Sequence, residues 1–231
     1  MVAAGMSEWR PFTERDALDQ ALAEAVVTRL GEGIEARGSA YLVVSGGSTP
    51  VNLFSLLARA PIDWSRVTVM LADERWVSTG HEDSNERLVR HALLTAQATT
   101  AAFLSLVAVP DDALANLSLL SEQLSVIPQF DVVLLGMGED AHTASLFPCA
   151  PELNTGLTTQ DDVLITYPKY APYQRVTLSK QRLLNTRCGM IHIVGEKKKA
   201  VFDAAVESGN ELTHPINAVL GAAGFDCWWA P

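Results

Sequence analysis

The chain has 231 residues, 48% of them apolar and 19% charged, with a formal net charge of −10. This composition excludes an intrinsically disordered chain and suits one α/β domain spanning residues 1–231. An acidic far field repels nucleic acid and anionic membrane surfaces, so neither is expected as a partner, though a local basic cluster can still hold a small anion.

In chain order, Met1 to Pro11 shows no basic segment followed by an apolar run, so no signal peptide is expected. Thr13 to Arg37 predicts a long helix: Leu18, Leu22, Ala25, Val26 and Leu30 recur at helical spacing. Thr13 with Asp16 approximates a capping box at its start, and Gly38 is placed to end it. Ala40 to Val44 is a strand-length apolar run opening into Ser45-Gly46-Gly47-Ser48-Thr49-Pro50, and Val51 to Ala58 reads as a helix with a proline near its start. Val67 to Leu71 is a second such run, ending in Ala72-Asp73-Glu74-Arg75. Helices are expected over Asn85 to Ala96, Asp111 to Leu124 and Glu196 to Glu207. Strands are expected over Asp131 to Leu135, Val163 to Tyr167, Arg175 to Leu178, Met190 to Val194 and Phe225 to Trp229. The Trp228-Trp229 pair reads as core packing. Apolar runs alternating with helices predict a doubly wound, mostly parallel sheet with helices on both faces, in the Rossmann-like manner. Cys149, Cys188 and Cys227 are odd in number and form no Cys-x-x-Cys, so neither a disulfide framework nor a metal site is expected. With no apolar run of membrane-spanning length, a cytoplasmic location is expected.

Three segments carry chemistry. The first is Ser45 to Pro50, between a strand and a helix. Glycine there lets backbone N–H groups approach a ligand, and the helix start adds partial positive charge, so Gly46, Gly47, Ser48 and Thr49 form a candidate phosphate cradle. It lacks the lysine of a Walker loop and the third glycine of a dinucleotide fingerprint, and the plain alternative is an ordinary β–α turn. The second is Asp73-Glu74-Arg75, for which a surface ion pair is the plain alternative. The third runs from Leu135 to Pro148 and puts Asp140 and His142 just past a buried strand. Asp140 as a helix cap beside an incidental histidine would explain it without function. In a doubly wound sheet, however, loops after different strands converge over one crevice. His142 is then the candidate general base, since imidazole titrates at about 6.5 when unperturbed, and Asp140 is placed to orient it. Arg175 at a strand start and the run Lys197-Lys198-Lys199 after Gly195 supply positive charge. Lys197, nearest to the strand end, is the expected contributor.

These segments together resemble the 6-phosphogluconolactonases of the pentose phosphate pathway, within the glucosamine/galactosamine-6-phosphate isomerase superfamily. The resemblance runs through Ser45 to Pro50, Asp73 to Val77, Ser84-Asn85, Leu135 to Pro148, Arg175 to Ser179 and Gly195 to Lys198. It departs from the family's Asp-Gly-His at Asp140-Ala141-His142, where alanine carries strain if positive φ is required. The similar glucosamine-6-phosphate deaminases carry an acid where this chain has Phe147, and phenylalanine cannot shuttle protons. The resemblance implies hydrolysis of 6-phospho-D-glucono-1,5-lactone to 6-phospho-D-gluconate without a cofactor or metal, by a monomer or weak homo-oligomer. It implies His142 as base and Asp73 and Asp140 orienting hydroxyls or the imidazole. Arg75 would serve the oxyanion or the phosphate, and Gly46, Gly47, Ser48, Arg175 and Lys197 would hold the phosphate. The alternatives are a deaminase-like isomerase and a sugar-phosphate sensing domain without catalysis.

Overall fold

The computed structural model describes residues 7–221 and 225–231, so residues 1–6 of the stretch read for a signal peptide lie outside the described residues. Seven strands form the main sheet: β1 (Trp9–Pro11), β2 (Ala40–Val44), β3 (Val67–Leu71), β5 (Ala102–Leu104), β6 (Phe130–Leu135), β9 (Thr186–Val194) and β10 (Phe225–Ala230). Their order is β1-β10-β9-β6-β2-β3-β5, and every pairing is parallel. Parallel strands are covered on both faces, which is why they read as unbroken apolar runs; β6 is buried at every position. The helix α1 (Arg15–Arg37) packs on β2, β6 and β10, and α7 (Glu196–Ser208) packs on β9. Trp228 is buried and stacks on Phe12, while Trp229 stacks on Trp9, so the tryptophan pair serves core packing. None of the described helices is long and apolar enough to cross a membrane.

The chain leaves β2 toward β3 in one direction and β6 toward β9 in the other. The order therefore reverses between β2 and β6, and a crevice opens beyond their carboxyl ends. Residues 45–50 and 136–148 emerge there.

Several expectations are corrected. A second sheet of three antiparallel strands, β4 (Asp73–Arg75), β8 (Arg175–Leu178) and β7 (Val163–Thr166), stands apart from the parallel one. The segment Asp73-Glu74-Arg75, expected as a loop, is its edge strand. The connection of residues 167–174 between β7 and β8 is too short for a parallel crossover, which takes about a dozen residues or more. The long helix begins at Arg15 with Glu14 at its cap and no side-chain capping bond, so the Thr13–Asp16 box does not form. Gly38 does end it, with φ of 81° and its N–H on Ile34 O. The helix α3 (Asn85–Ala92) stops short of Ala96, because Thr95 is extended and Ala96 takes a left-handed φ of 49°. The short strands β1 and β5 and the helices α5 (Leu153–Thr158) and α6 (Lys180–Leu184) lack the periodicity that would announce them.

The end of the sheet remote from the crevice is tied by one buried carboxylate. Asp131 on β6 accepts from the Arg37 guanidinium, and its Oδ2 accepts from Tyr41 N at 2.8 Å. This joins the last turn of α1 to β2 and β6. Removing one partner of a buried charge pair strands the other, at about 2–4 kcal/mol. Asp131→Ala should lose stability by that amount in urea titration, while the active-site residues keep their arrangement and turnover stays near wild type.

Candidate active site

The glycine loop enters the crevice from β2, its Ser45 N–H donating to Leu134 O of β6 at 2.9 Å. Gly46 has no room for a side chain: a Cβ there would stand 2.0 Å from Asn85 Oδ1. Gly47 has φ of 90°, a left-handed conformation that admits glycine at little cost. The Ser45 hydroxyl is buried and without a partner among the described residues, and Gly47 and Ser48 are exposed to the cleft.

Behind this loop, β4 carries Asp73, Glu74 and Arg75. Glu74 is buried and accepts from the N–H groups of Arg75 (2.7 Å), Asn85 (2.8 Å) and Glu86 (2.7 Å) and from Ser84 Oγ (3.0 Å). Burial raises its pKa above the usual carboxylate value, and these four donors pull against that rise. Asn85, thus fixed, donates through Nδ2 to Asp73 O at 3.0 Å. Asp73 itself is buried and accepts from Ser145 Oγ at 2.5 Å, which ties β4 to the loop after β6.

Arg75 and Arg175 stand directly opposite each other on β4 and β8. The Arg75 guanidinium donates to Asp83 O through Nη1, and its Nε is buried without a partner among the described residues. Arg175 is buried and donates through Nε and Nη2 to Pro172 O at 3.2 and 3.0 Å. Burial lowers its pKa, the neighbouring Asp73 carboxylate opposes that, and the Arg75 charge adds to it. Like charges across a strand pair repel, so the two arginines form a locally positive wall suited to an anion.

After β6 the chain makes a tight loop, and no helix follows until Leu153, so Asp140 is not a helix cap. Asp140 Oδ1 instead lies 2.5 Å from His142 Nδ1 and also accepts from His142 N at 3.2 Å. A carboxylate only accepts, so Nδ1 carries a ring hydrogen, and in the neutral imidazole Nε2 is the nitrogen left with a lone pair. The Asp140 pKa is lowered: burial pushes it up, but the bond to His142 and that ring's charge outweigh burial. The ring stacks on Phe147 with centroids 4.1 Å apart, and Phe147 also meets the Arg175 guanidinium at 5.7 Å. Gly138 is a necessary glycine, since a Cβ would lie 2.1 Å from His142 Nδ1. Ala141, at the family's glycine position, has φ of 60° and is fully buried. The strain anticipated from sequence is therefore present. An L-residue held there costs about 1–2 kcal/mol.

These elements enclose one cleft of about 330 Å³. It is lined by Ser45 to Pro50, Asp73, Arg75, His142 and Arg175, which the structure brings together from four separate segments. Asp140 stands behind His142, outside the lining. Lys197 is corrected. Its side chain is 74% exposed and pairs with Glu139 at 2.6 Å, whereas Lys198 lines the cleft. One residue along a helix turns the side chain by about 100°, enough to exchange the two faces. Burial lowers the Lys198 pKa, against the pull of Glu139. Asn85, Ser145, Phe147 and Lys198 are site residues the sequence reasoning did not single out for these tasks. Of these, Lys198 lay within the Lys197-Lys198-Lys199 run already read as a source of positive charge, and the helix phase from Glu196 onward chose it.

Residues 13–229 match the family model described as glucosamine-6-phosphate isomerases/6-phosphogluconolactonase. The chain is 38% identical over 226 residues to the 6-phosphogluconolactonase of Neisseria meningitidis serogroup A, covering 96% of this chain and 97% of that one. It superposes on the crystal structure of a 6-phosphogluconolactonase from Shewanella baltica OS155 with TM-score 0.94 and 46% identity, over 98% of this chain and 100% of the other. A monomeric glucosamine-6-phosphate deaminase shares the fold at TM-score 0.82 and 15% identity, over 96% of this chain and 97% of the other. The chain belongs to the glucosamine-6-phosphate isomerase/6-phosphogluconolactonase family.

Proposed function

We propose that the protein hydrolyses 6-phospho-D-glucono-1,5-lactone to 6-phospho-D-gluconate, and that His142 is its general base. The observation carrying this reading is an imidazole with Nδ1 bound to a carboxylate and Nε2 free, in one cleft with a glycine loop and two facing arginines. The naming of relatives at 38% and 46% identity over nearly whole chains supports the same activity.

The lactone carbonyl is already activated, so neither a covalent nucleophile nor a metal is needed. Nε2 of His142 takes a proton from water as the water oxygen bonds to C1. Negative charge develops on the carbonyl oxygen, and the Arg75 guanidinium, with its unpartnered Nε, answers it. Collapse of the tetrahedral intermediate breaks the bond from C1 to the ring oxygen, which receives the proton from the His142 imidazolium. Asp140 holds the ring in the right tautomer and balances its charge. Asp73 keeps one carboxylate oxygen for a sugar hydroxyl while the other accepts from Ser145. The phosphate lies on the N–H groups of Gly46, Gly47 and Ser48 and the Ser48 and Thr49 hydroxyls, with Arg175 and Lys198 beside them. Charge-assisted bonds of this kind contribute about 1.5–3 kcal/mol each, which suffices to seat an anion on an acidic protein.

The deaminase alternative lacks a proton carrier, because Phe147 packs flat on His142 where those enzymes place an acid. Cytoplasmic location follows from the same reading, since the substrate class is a product of soluble sugar-phosphate metabolism.

His142→Ala should lower kcat about a hundredfold or more with an unchanged circular dichroism spectrum; near-normal turnover would remove the base from this scheme. In Asp140→Asn the amide can donate to Nδ1, which moves the ring hydrogen to Nε2 and leaves no base on the cleft side. That variant should lose about a hundredfold or more in kcat with little change in KM, measured after subtracting spontaneous lactone hydrolysis. Lys198→Ala should raise KM for the phosphorylated lactone about tenfold while sparing the unphosphorylated one, and Lys197→Ala should change neither by more than about twofold.

A further inference from the structure

A second histidine faces the same cleft. His192 on β9 is 2% exposed and lines the cleft wall. Its Nε2 lies 3.0 Å from Asp19 Oδ1, and Asp19, on α1, is wholly buried. Asp19 Oδ2 accepts from Asn52 Nδ2 on α2 (Val51–Leu57) at 2.8 Å and lies 3.6 Å from Nε of Arg15, a residue whose Nη2 donates to Thr49 O at 2.8 Å. The pair thus sits under the exit of the glycine loop. Burial works against the Asp19 charge, but His192, Asn52 and Arg15 together hold its carboxyl below the usual range.

A carboxylate only accepts, so the ring nitrogen turned to Asp19 carries a hydrogen. Nε2 and Asp19 Oδ1 meet at ion-pair distance without hydrogen-bond geometry, and the other nitrogen, Nδ1, is buried and has no partner among the described residues. A buried polar atom without a partner is costly in a finished core and is ordinary in a binding site awaiting its ligand. Lys198 of α7 lines the same cleft, so an anion there meets the ammonium and the ring together. We infer that His192 is a phosphate-binding residue: Nδ1 takes up a proton from solvent as the phosphosugar binds and donates it in a hydrogen bond to a phosphate oxygen, with Asp19 positioning the ring and balancing the imidazolium charge.

This rests on the phosphosugar reading of the cleft, and the variants separate it from a merely structural pair. His192→Gln places an amide nitrogen where Nε2 stood, keeping the Asp19 contact and removing Nδ1. It should raise KM for 6-phosphogluconolactone and Kd for 6-phosphogluconate about tenfold, with kcat and turnover of unphosphorylated gluconolactone unchanged. His192→Asn puts its amide nitrogen near the Nδ1 position and should recover part of that loss. Adding inorganic phosphate to the wild type should shift the Nδ1 resonance of His192 in a nitrogen-15 spectrum. An unmoved resonance, a wild-type KM in His192→Gln, or equal losses on the two lactones would each overturn the assignment. Should the wild type fail to hydrolyse the phosphorylated lactone, the function proposed above falls, and the phosphate titration still decides whether His192 holds an anion.

Discussion

One buried carboxylate organises the whole cleft. Glu74 gathers the N–H groups of Arg75, Asn85 and Glu86 and the Ser84 hydroxyl onto its two oxygens. That fixes the start of α3 against β4 and turns the Asn85 amide toward Asp73 and Gly46. Asp73 in turn grips Ser145, so loops from β2, β3 and β6 become one unit. Desolvating Glu74 opposes its charge, and the four donors offset that cost. The loops then sit on a rigid scaffold before any ligand arrives, which is what transition-state stabilisation by fixed donors requires.

Charge in this protein is arranged on two scales. The chain carries −10 overall, yet two arginines face each other across β4 and β8 and a half-buried lysine stands on α7. Burial lowers the Arg175 pKa, the Arg75 charge adds to that, and the nearby Asp73 carboxylate opposes both. The two scales are compatible, because surface fields are screened within about 8–10 Å at ordinary salt, so the acidic exterior does not cancel a short-range positive wall.

The loop bearing His142 stores strain. Ala141 and Ala144 both take left-handed backbone angles, with φ of 60° and 47°. The loop is closed by the bond from Gly138 N to His142 O at 2.9 Å and by Thr143 Oγ1 on Gly136 O at 2.9 Å. Ile216 N bonds to Ala141 O from outside at 2.9 Å. The surrounding bonds over-determine the turn and hold Ala141 in its left-handed conformation. Strain held in this way at a reactive side chain leaves the imidazole few alternative positions.

Much of this was legible in the residues. The strand runs Ala40 to Val44, Val67 to Leu71 and Asp131 to Leu135 announced a parallel sheet, since strands buried on both faces must be apolar throughout. The short spacing from Asp140 to His142 allowed their contact, because two residues of a tight turn cannot be far apart. What the sequence left open depended on partners distant along the chain. Whether Asp73 to Arg75 was loop or strand was decided by Arg175 to Leu178, about a hundred residues away, through antiparallel pairing that no local pattern encodes. Which lysine enters the cleft was decided by helix phase, where one residue turns a side chain by about 100°. The place of His192 was decided by Asp19 meeting it from α1, with Asn52 of the following helix holding that carboxylate. Periodicity records which face of an element is buried, and only the packed tertiary structure supplies what that face meets.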